Sequence, residues 1–306
     1  MYRKYRRLSA SFNFLLILTF LVFIQNKSLN LNNRTLPHAA IVTLIRSTNQ
    51  SIQLTMNMMN SIMRFYFQYQ SVSYPFLIFH DENFTLSMRE HINSCLTITY
   101  PNIRILFASV NFQTSIQPNP SSYIEKPMSY RLMCRFWIHD VFYHPIIIQN
   151  QYDYLMRMDD DSSLFDSISD DLFEYMKRTR LDYFYRGKYK ETDQTMNSIV
   201  PPEYRTDICI YNNFFIIRLN WYYQSRIIRN LVENLLKNET ILREYIGDGC
   251  IHQVMIDIDT NSRSEQTKQI PYGHNYHIMP IGADFYYFIK DDEIFSNLSF
   301  ICKQKI

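Results

Sequence analysis

Three consecutive aspartates, Asp159, Asp160 and Asp161, follow the apolar run "YDYLMRM" and precede Ser162 and Ser163. Adjacent carboxylates repel one another and need water, a proton or a cation to be tolerated together. A run of like charge is most often a solvated loop. The alternative is an oxygen cage for a hard divalent cation. Position bears on the choice, because "YDYLMRM" reads as a strand and ligands of open parallel sheets bind beyond the carboxyl ends of strands.

The chain has only five glycines, and the first is Gly187. This excludes a G-x-G-x-x-G dinucleotide turn and a Gly-rich phosphate loop from the first half of the chain. A nucleotide bound there needs another means of neutralising its phosphates, and a divalent cation held by carboxylates is the usual one. A strand-terminal acidic triplet in a glycine-poor α/β domain is what a metal-dependent glycosyltransferase requires. There, Mn²⁺ or Mg²⁺ bridges the diphosphate of a sugar nucleotide and stabilises it as leaving group.

The elements that must position the triplet follow from hydrophobic periodicity. "AAIVTLIR", from Ala39, has the length and branching of a buried strand, and Ile52, Met56, Met59, Ile62, Met63 and Tyr66 then recur at helical spacing. "YPFLIFHDENF" predicts a second strand ending at His80-Asp81-Glu82, "SMREHINSCL" a helix and "NIRILFASVNF" a third strand. Such alternation predicts one α/β domain over 39–306 with a mostly parallel central sheet and helices on both faces. The 306 residues, 46% hydrophobic and 16% aromatic, suffice for a large core. A net charge of +2 without a concentrated basic surplus argues against a nucleic-acid partner.

One basic cluster, Arg3, Lys4, Arg6 and Arg7, precedes an uncharged run of 17 residues from Leu8 to Ile24. That is the short end of a bilayer span, and no small-x-small cleavage site follows it. The expectation is a type II topology: residues 1–7 cytosolic, 8–24 a transmembrane signal anchor, 25–38 a polar stem and the remainder lumenal. Sequons at Asn33, Asn49, Asn83, Asn238 and Asn297 agree with a lumenal location. The five cysteines, Cys95, Cys134, Cys209, Cys250 and Cys302, would there form at most two intramolecular disulfides and leave one thiol.

Four blocks carry a family resemblance. "SYRLMCRFWIHDVFYHPIIIQNQYDYLMRMDDDSSLF", Ser129 to Phe165, resembles the Y-R-x-M-C-R-F segment and the E-P-D strand of the fungal α-1,2-mannosyltransferase family, glycosyltransferase family 15. "YNNFFIIRLNWYYQS" resembles its S-N-F-E-I block, "YIGDGCIHQVMI" its W-G-D-A-P-V-H block and "IPYGHNYH" its G-Y-x-H-P-P block. The similarity is collinear from about Ala39 to His277.

The resemblance implies a GT-A-like fold, a type II membrane enzyme of the Golgi or ER, GDP-mannose as donor, a glycan or glycoprotein as acceptor, Mn²⁺ as cofactor, and α-1,2 transfer with retention of configuration. By position, Asp159 and Asp161 take the two acids of E-P-D, and His274 the histidine of G-Y-x-H, as metal ligands. An oxygen-plus-imidazole set suits Mn²⁺. Asp160 then lies on the donor side. Arg46, Arg131 and Arg135 are candidates for the nucleotide phosphates, whose geometry guanidinium forks match; an ion pair with a neighbouring acid is the alternative. Tyr130 would stack on or hydrogen-bond the donor, or be one of many core aromatics. Asp248 and His252 stand one helical turn apart; Asp248 would lie near the acceptor hydroxyl, or serve as an N-cap.

Two departures separate this chain from the family pattern. The Glu and Pro of E-P-D are Asp159 and Asp160 here, and the acid of S-N-F-E-I falls on Phe215. Either the activity is altered, or the role of that acid passes to Asp207 or Asp248. A catalytically silent relative that binds a glycan or nucleotide is therefore a competing reading, and a membrane-anchored structural protein is a third.

Overall fold

Four apolar runs form the parallel half of the central sheet in the computed structural model, which describes residues 36–119, 126–191, 202–204, 207–285 and 289–302. They are β1 (Ala39–Ile45), β2 (Phe76–His80), β3 (Ile105–Ser109) and β4 (Tyr154–Met158), paired in the order β3-β2-β1-β4. Directly after the aspartates comes the short β5 (Ser162–Leu164). The sheet continues through β6 (Tyr183–Lys190), β7 (Ile208–Arg218) and β8 (Ser264–Gln266), giving β3-β2-β1-β4-β7-β6-β8. β7 is antiparallel to both β4 and β6, so it alone among these strands runs against the rest. A second, antiparallel sheet joins β5 to β9 (Tyr272–His274), β10 (His277–Ile278) and β11 (Ile289–Lys290).

Strands covered on both faces read as continuous apolar runs rather than alternating ones, which is why β1, β2 and β4 were legible. Their alternate residues feed two cores. Ala40, Val42, Leu77, Phe79 and Leu155 meet Trp137, Ile251 and Val254 on one face. Ile41, Ile45, Ile78 and Met156 meet Met56, Met59 and Ile62 on the other. Each fully buried Val, Leu, Ile, Phe or Met side chain among them contributes about 1.5–3 kcal/mol. The helix Asn49–Phe65 begins where Thr48 Oγ1 accepts the Ser51 amide, at the N-terminal start signalled by a Thr before an apolar-periodic stretch.

His38–Ile306 forms one compact unit. Cys95–Cys302 ties the helix Leu86–Thr99 to the C-terminal segment, and Cys209–Cys250 ties β7 to the helix Asp248–Ile258. Cys134 is the free cysteine, a buried thiol whose pKa is pushed well up by burial. Gly249 is required where that helix meets β7, because a Cβ would stand 2.2 Å from the Ile210 carbonyl oxygen. The sequon residues Asn49, Asn83, Asn238 and Asn297 are exposed. The expected cytosolic tail, anchor, most of the stem and Asn33 lie outside the described residues, among which no helix is long and apolar enough to cross a membrane.

Candidate active site

Arg157 organises the site from below. It is the penultimate residue of β4, opposite Phe215 of β7, and only 3% exposed. A buried guanidinium is tolerated when acids and hydrogen bonds surround it. Its Nε and Nη2 donate to the two oxygens of Asp159 at 2.7 and 3.2 Å, and Nη1 donates to Asp248 Oδ2 at 2.6 Å. The Trp137 ring lies 4.2 Å from the guanidinium carbon, within cation–π range. Burial alone would lower the pKa of Arg157; Asp159 and Asp248 outweigh it and raise it.

β7 supplies the next layer. Asn212 donates to Asp248 Oδ2 at 2.6 Å, Asn213 donates to Asp159 Oδ2, and the Tyr211 hydroxyl meets His274 Nδ1 at 2.8 Å. His274 arrives because β5 and β9 pair with Ser162 opposite His274, while the Asn275 amide bonds the Asp161 carbonyl. His274 Nε2 therefore stands 2.9 Å from Asp161 Oδ1 and 3.0 Å from Asn213 Nδ2. Burial opposes the charge on His274, but the bond to Asp161 and the field of Asp161 and Asp159 prevail and raise its pKa. Burial likewise opposes the charge of Asp161, and the bond to His274 prevails, lowering its pKa. Burial raises Asp159 despite Arg157, and pushes Asp160 up to about 6 against a bond from Ser51.

Above these groups opens a cleft of about 560 Å³ at the carboxyl ends of β1, β2 and β4. Arg46 lines it just past β1, Asp81 and Glu82 past β2, and Asp159 and Asp160 past β4, with Tyr130, Trp137 and Arg157 completing the wall. The aspartates thus stand where a parallel sheet presents its ligand crevice. Arg46 is exposed and makes no ion pair with a carboxylate among the described residues. Its charge still favours the ionised forms of Asp160 and Asp161.

The structure brings together Arg46, Tyr130, Asp159 and Asp160 around the cleft, whereas Asp161, paired with His274, lines a separate small cavity with Ser162, Tyr276 and Phe295. It separates other expected residues from the cleft. Arg131 is 2% exposed and donates to the carbonyls of Lys126, Leu242 and Arg243, so it braces the backbone rather than facing phosphates. Arg135 pairs with Asp140 at 2.9 Å and lines a different cavity of about 260 Å³. Asp207 pairs with Lys190 at 3.0 Å on an exposed edge and cannot stand in for the acid missing at Phe215.

Asp248 is not an N-cap. Gly247 occupies that position, and Asp248 opens the helix Asp248–Ile258 with its carboxylate consumed by Arg157 and Asn212. His252 does not face the cleft. It is fully buried, its Nε2 donates to the Trp137 carbonyl, Tyr183 donates to Nδ1 at 2.6 Å, and burial lowers its pKa to about 4. Phe215 is 1% exposed, its ring centroid 5.2 Å from that of Tyr183 and 5.0 Å from that of His252.

Arg157, Trp137, Asn212, Asn213 and Ser51 were not singled out from sequence. Arg157 carried a signal, since a lone charge inside an apolar strand implies buried acids around it. The others, ordinary residues made important by pairing across the sheet, carried none.

Among the described residues no three His, Cys, Asp or Glu side chains form a group that could hold a metal ion by themselves. Asp161 and His274 supply two donors suited to Mn²⁺, an oxygen and a nitrogen 2.9 Å apart. In this structure that contact is a hydrogen-bonded ion pair, which an ion held there would have to replace. The donor set fits an ion completed by a ligand's own oxygens and water. Asp159, held by Arg157 and Asn213, is committed elsewhere.

No family model and no curated protein matches the chain. Among solved structures, the mannosyltransferase Ktr4p from S. cerevisiae in complex with GDP is similar with a TM-score of 0.66 and 16% identity, over 80% of this chain and 73% of that one. Core-mannan synthase A (CmsA/Ktr4) from Aspergillus fumigatus, in its Mn/GDP form, is similar with a TM-score of 0.64 and 16% identity, over 83% of this chain and 81% of that one. Over the 80–83% of the chain that these matches cover, this protein has the fold of these solved structures, with a mostly parallel sheet that ends in a cleft at the aspartates.

Proposed function

We propose that this chain is a metal-assisted retaining glycosyltransferase, a mannosyltransferase that uses GDP-mannose to extend glycans by α-1,2 linkage. One observation carries the reading: Arg46, Asp159 and Asp160 line one cleft at the carboxyl ends of the strands, with the Asp161–His274 pair directly after them in the fold, and that fold is shared with proteins described in complex with GDP and with Mn and GDP. Asp161 and His274 are the residues that would hold Mn²⁺, and the ion, when bound, neutralises the donor diphosphate and favours its departure.

The protein's own groups then divide the work. Arg46 offers a guanidinium fork to the phosphates. Tyr130, 37% exposed on the cleft wall, offers a face for stacking. Arg157 keeps Asp159 and Asp248 aimed and compensated under the reacting groups. Retention and linkage rest on the family resemblance alone.

A second reading is favoured by Phe215. The apolar ring leaves no carboxylate at the position where the family pattern has one, and Asp248, the expected substitute, is already bonded to both Arg157 and Asn212. In that reading the cleft binds donor or glycan without transfer. The exposed sequons and two disulfides support an oxidising, lumenal setting, with 1–7 cytosolic, 8–24 as anchor and 25–38 as stem in the Golgi or ER membrane.

The test is Mn²⁺-dependent turnover of GDP-mannose by the full-length protein, beside titration of GDP binding. Binding with turnover supports the transferase, binding without turnover supports the silent relative, and neither refutes both.

A further inference from the structure

We propose that Ser51 is a positioning residue that ties together two adjacent strand exits lining the cleft with one hydroxyl; this rests on the reading of the cleft as a donor-nucleotide site. Ser51 lies in the first turn of the helix Asn49–Phe65 and is 1% exposed. Its Oγ accepts the Arg46 amide at 3.1 Å and donates its single hydrogen to Asp160 Oδ2. Its own amide is taken by Thr48 Oγ1 at 3.2 Å, and its carbonyl by Thr55 Oγ1 at 2.7 Å. Every polar group of the residue is thus used, and at 1% exposure solvent is poorly placed to replace the hydroxyl.

The two partners of that hydroxyl stand on separate strand exits. Arg46 follows β1, Asp160 follows β4, and both line the cleft. Among the described residues Ser51 is the hydrogen-bond partner of the Asp160 carboxylate. Asp160 also has acids on either side in the chain, and a diphosphate entering the cleft adds more negative charge. Ser51 holds that carboxylate against the start of the helix, which leaves Arg46 to meet the phosphates. Without the hydroxyl Asp160 can turn into the cleft and repel the diphosphate, and the Arg46 amide loses its acceptor. The loss falls on binding of the donor diphosphate in ground and transition state alike, so it belongs in KM and in nucleotide affinity rather than in kcat.

The test is a double-mutant cycle on full-length protein, read by calorimetric titration of GDP with Mn²⁺ and by the split between KM and kcat. Ser51→Ala is expected to weaken GDP binding about tenfold and raise KM in parallel with kcat unchanged, whereas in an Asp160→Asn background the same change is expected to cost about twofold. Ser51→Cys, which keeps the side-chain volume but replaces the hydroxyl by a weak donor, carries the same comparison if the alanine variant does not fold, and Asn49→Gln, which removes the Asn49-Gln-Ser51 sequon but keeps the hydroxyl, is expected to leave GDP affinity within twofold of wild type. GDP affinity within twofold of wild type in the Ser51 variant, or equal losses in both backgrounds, overturns the proposal while leaving the donor-site reading intact. A wild-type protein that binds no GDP overturns the donor-site reading and this inference with it.

Discussion

Replacing Asp161 by asparagine removes one negative charge next to Asp160 of the cleft wall and leaves the shape of the side chain nearly unchanged. In the metal-free protein the loss is confined to the pair with His274, 2.9 Å away and with side chains 16% and 27% exposed. A charge-assisted hydrogen bond of this kind is worth about 1.5–3 kcal/mol. Part of that is returned because Asp159 and Asp160 no longer face a third carboxylate, so a net destabilisation below about 1.5 kcal/mol is expected. Metal binding responds differently, since an amide oxygen is a poor ligand for a hard cation. Changes in the outer shell of metal sites already cost about 10–100-fold in affinity, and loss of a direct ligand is expected to exceed about 100-fold. That is more than about 2.7 kcal/mol. Calorimetric titration of GDP with and without Mn²⁺, into wild type and Asp161→Asn, measures it. Mn²⁺-dependent GDP binding confined to wild type is expected; equal, metal-independent affinity in both proteins refutes the assignment and leaves the triplet as scaffold held by Arg157, Ser51 and His274.

Three further outcomes follow from other parts of the structure. His252 is held neutral with its pKa lowered from 6.5 to about 4, so the unfolded chain binds its proton first. Stability conferred by keeping it neutral is complete above pH 6.5 and is lost as pH falls toward 4, by about 3 kcal/mol, and urea melts across that window should show a shallower slope for His252→Gln. Arg157→Leu leaves Asp159 and Asp248 uncompensated and should cost about 3–5 kcal/mol in a urea melt; a loss under 1 kcal/mol would show that the pair is not buried as described. Arg46→Ala should weaken GDP binding about tenfold, the order of one charge-assisted hydrogen bond, while Arg135→Ala, in its separate cavity, should leave it within twofold.

How much of the site was legible differs residue by residue. Asp159 to Asp161 could be placed because a triplet after an apolar run must emerge at a strand's end, and β4 stops at Met158. Tyr130 and Arg131 are neighbours in one block, yet Tyr130 lines the cleft and Arg131 is buried against the carbonyls of Leu242 and Arg243. Successive helical residues point about 100° apart, and a block match says nothing about which one faces a cavity. Asp248 and His252 share a helix, and their spacing suggested a shared face. One met Arg157 and the other met Tyr183 and the Trp137 carbonyl, because the packing of β7 and β4 against that helix chose their partners.

The sequence by itself determined the alternation of strands and helices, the side of the sheet on which ligands meet it, and the exclusion of a glycine-built phosphate site. These depend on local quantities: apolar periodicity, chain-order topology and the presence of glycine. Tertiary structure alone decided which charges are spent on the scaffold and which face the cleft. Arg131, Arg135 and Asp207 are bound up elsewhere, Arg46 is exposed at the cleft, and Arg157, Ser51 and Asn213 became site residues only when β4, β7, β9 and the first helix came together. The reason is that a long polar side chain satisfies its hydrogen bonds with whatever partner lies within about 3 Å, and those partners are as distant in the chain as Asp161 and His274.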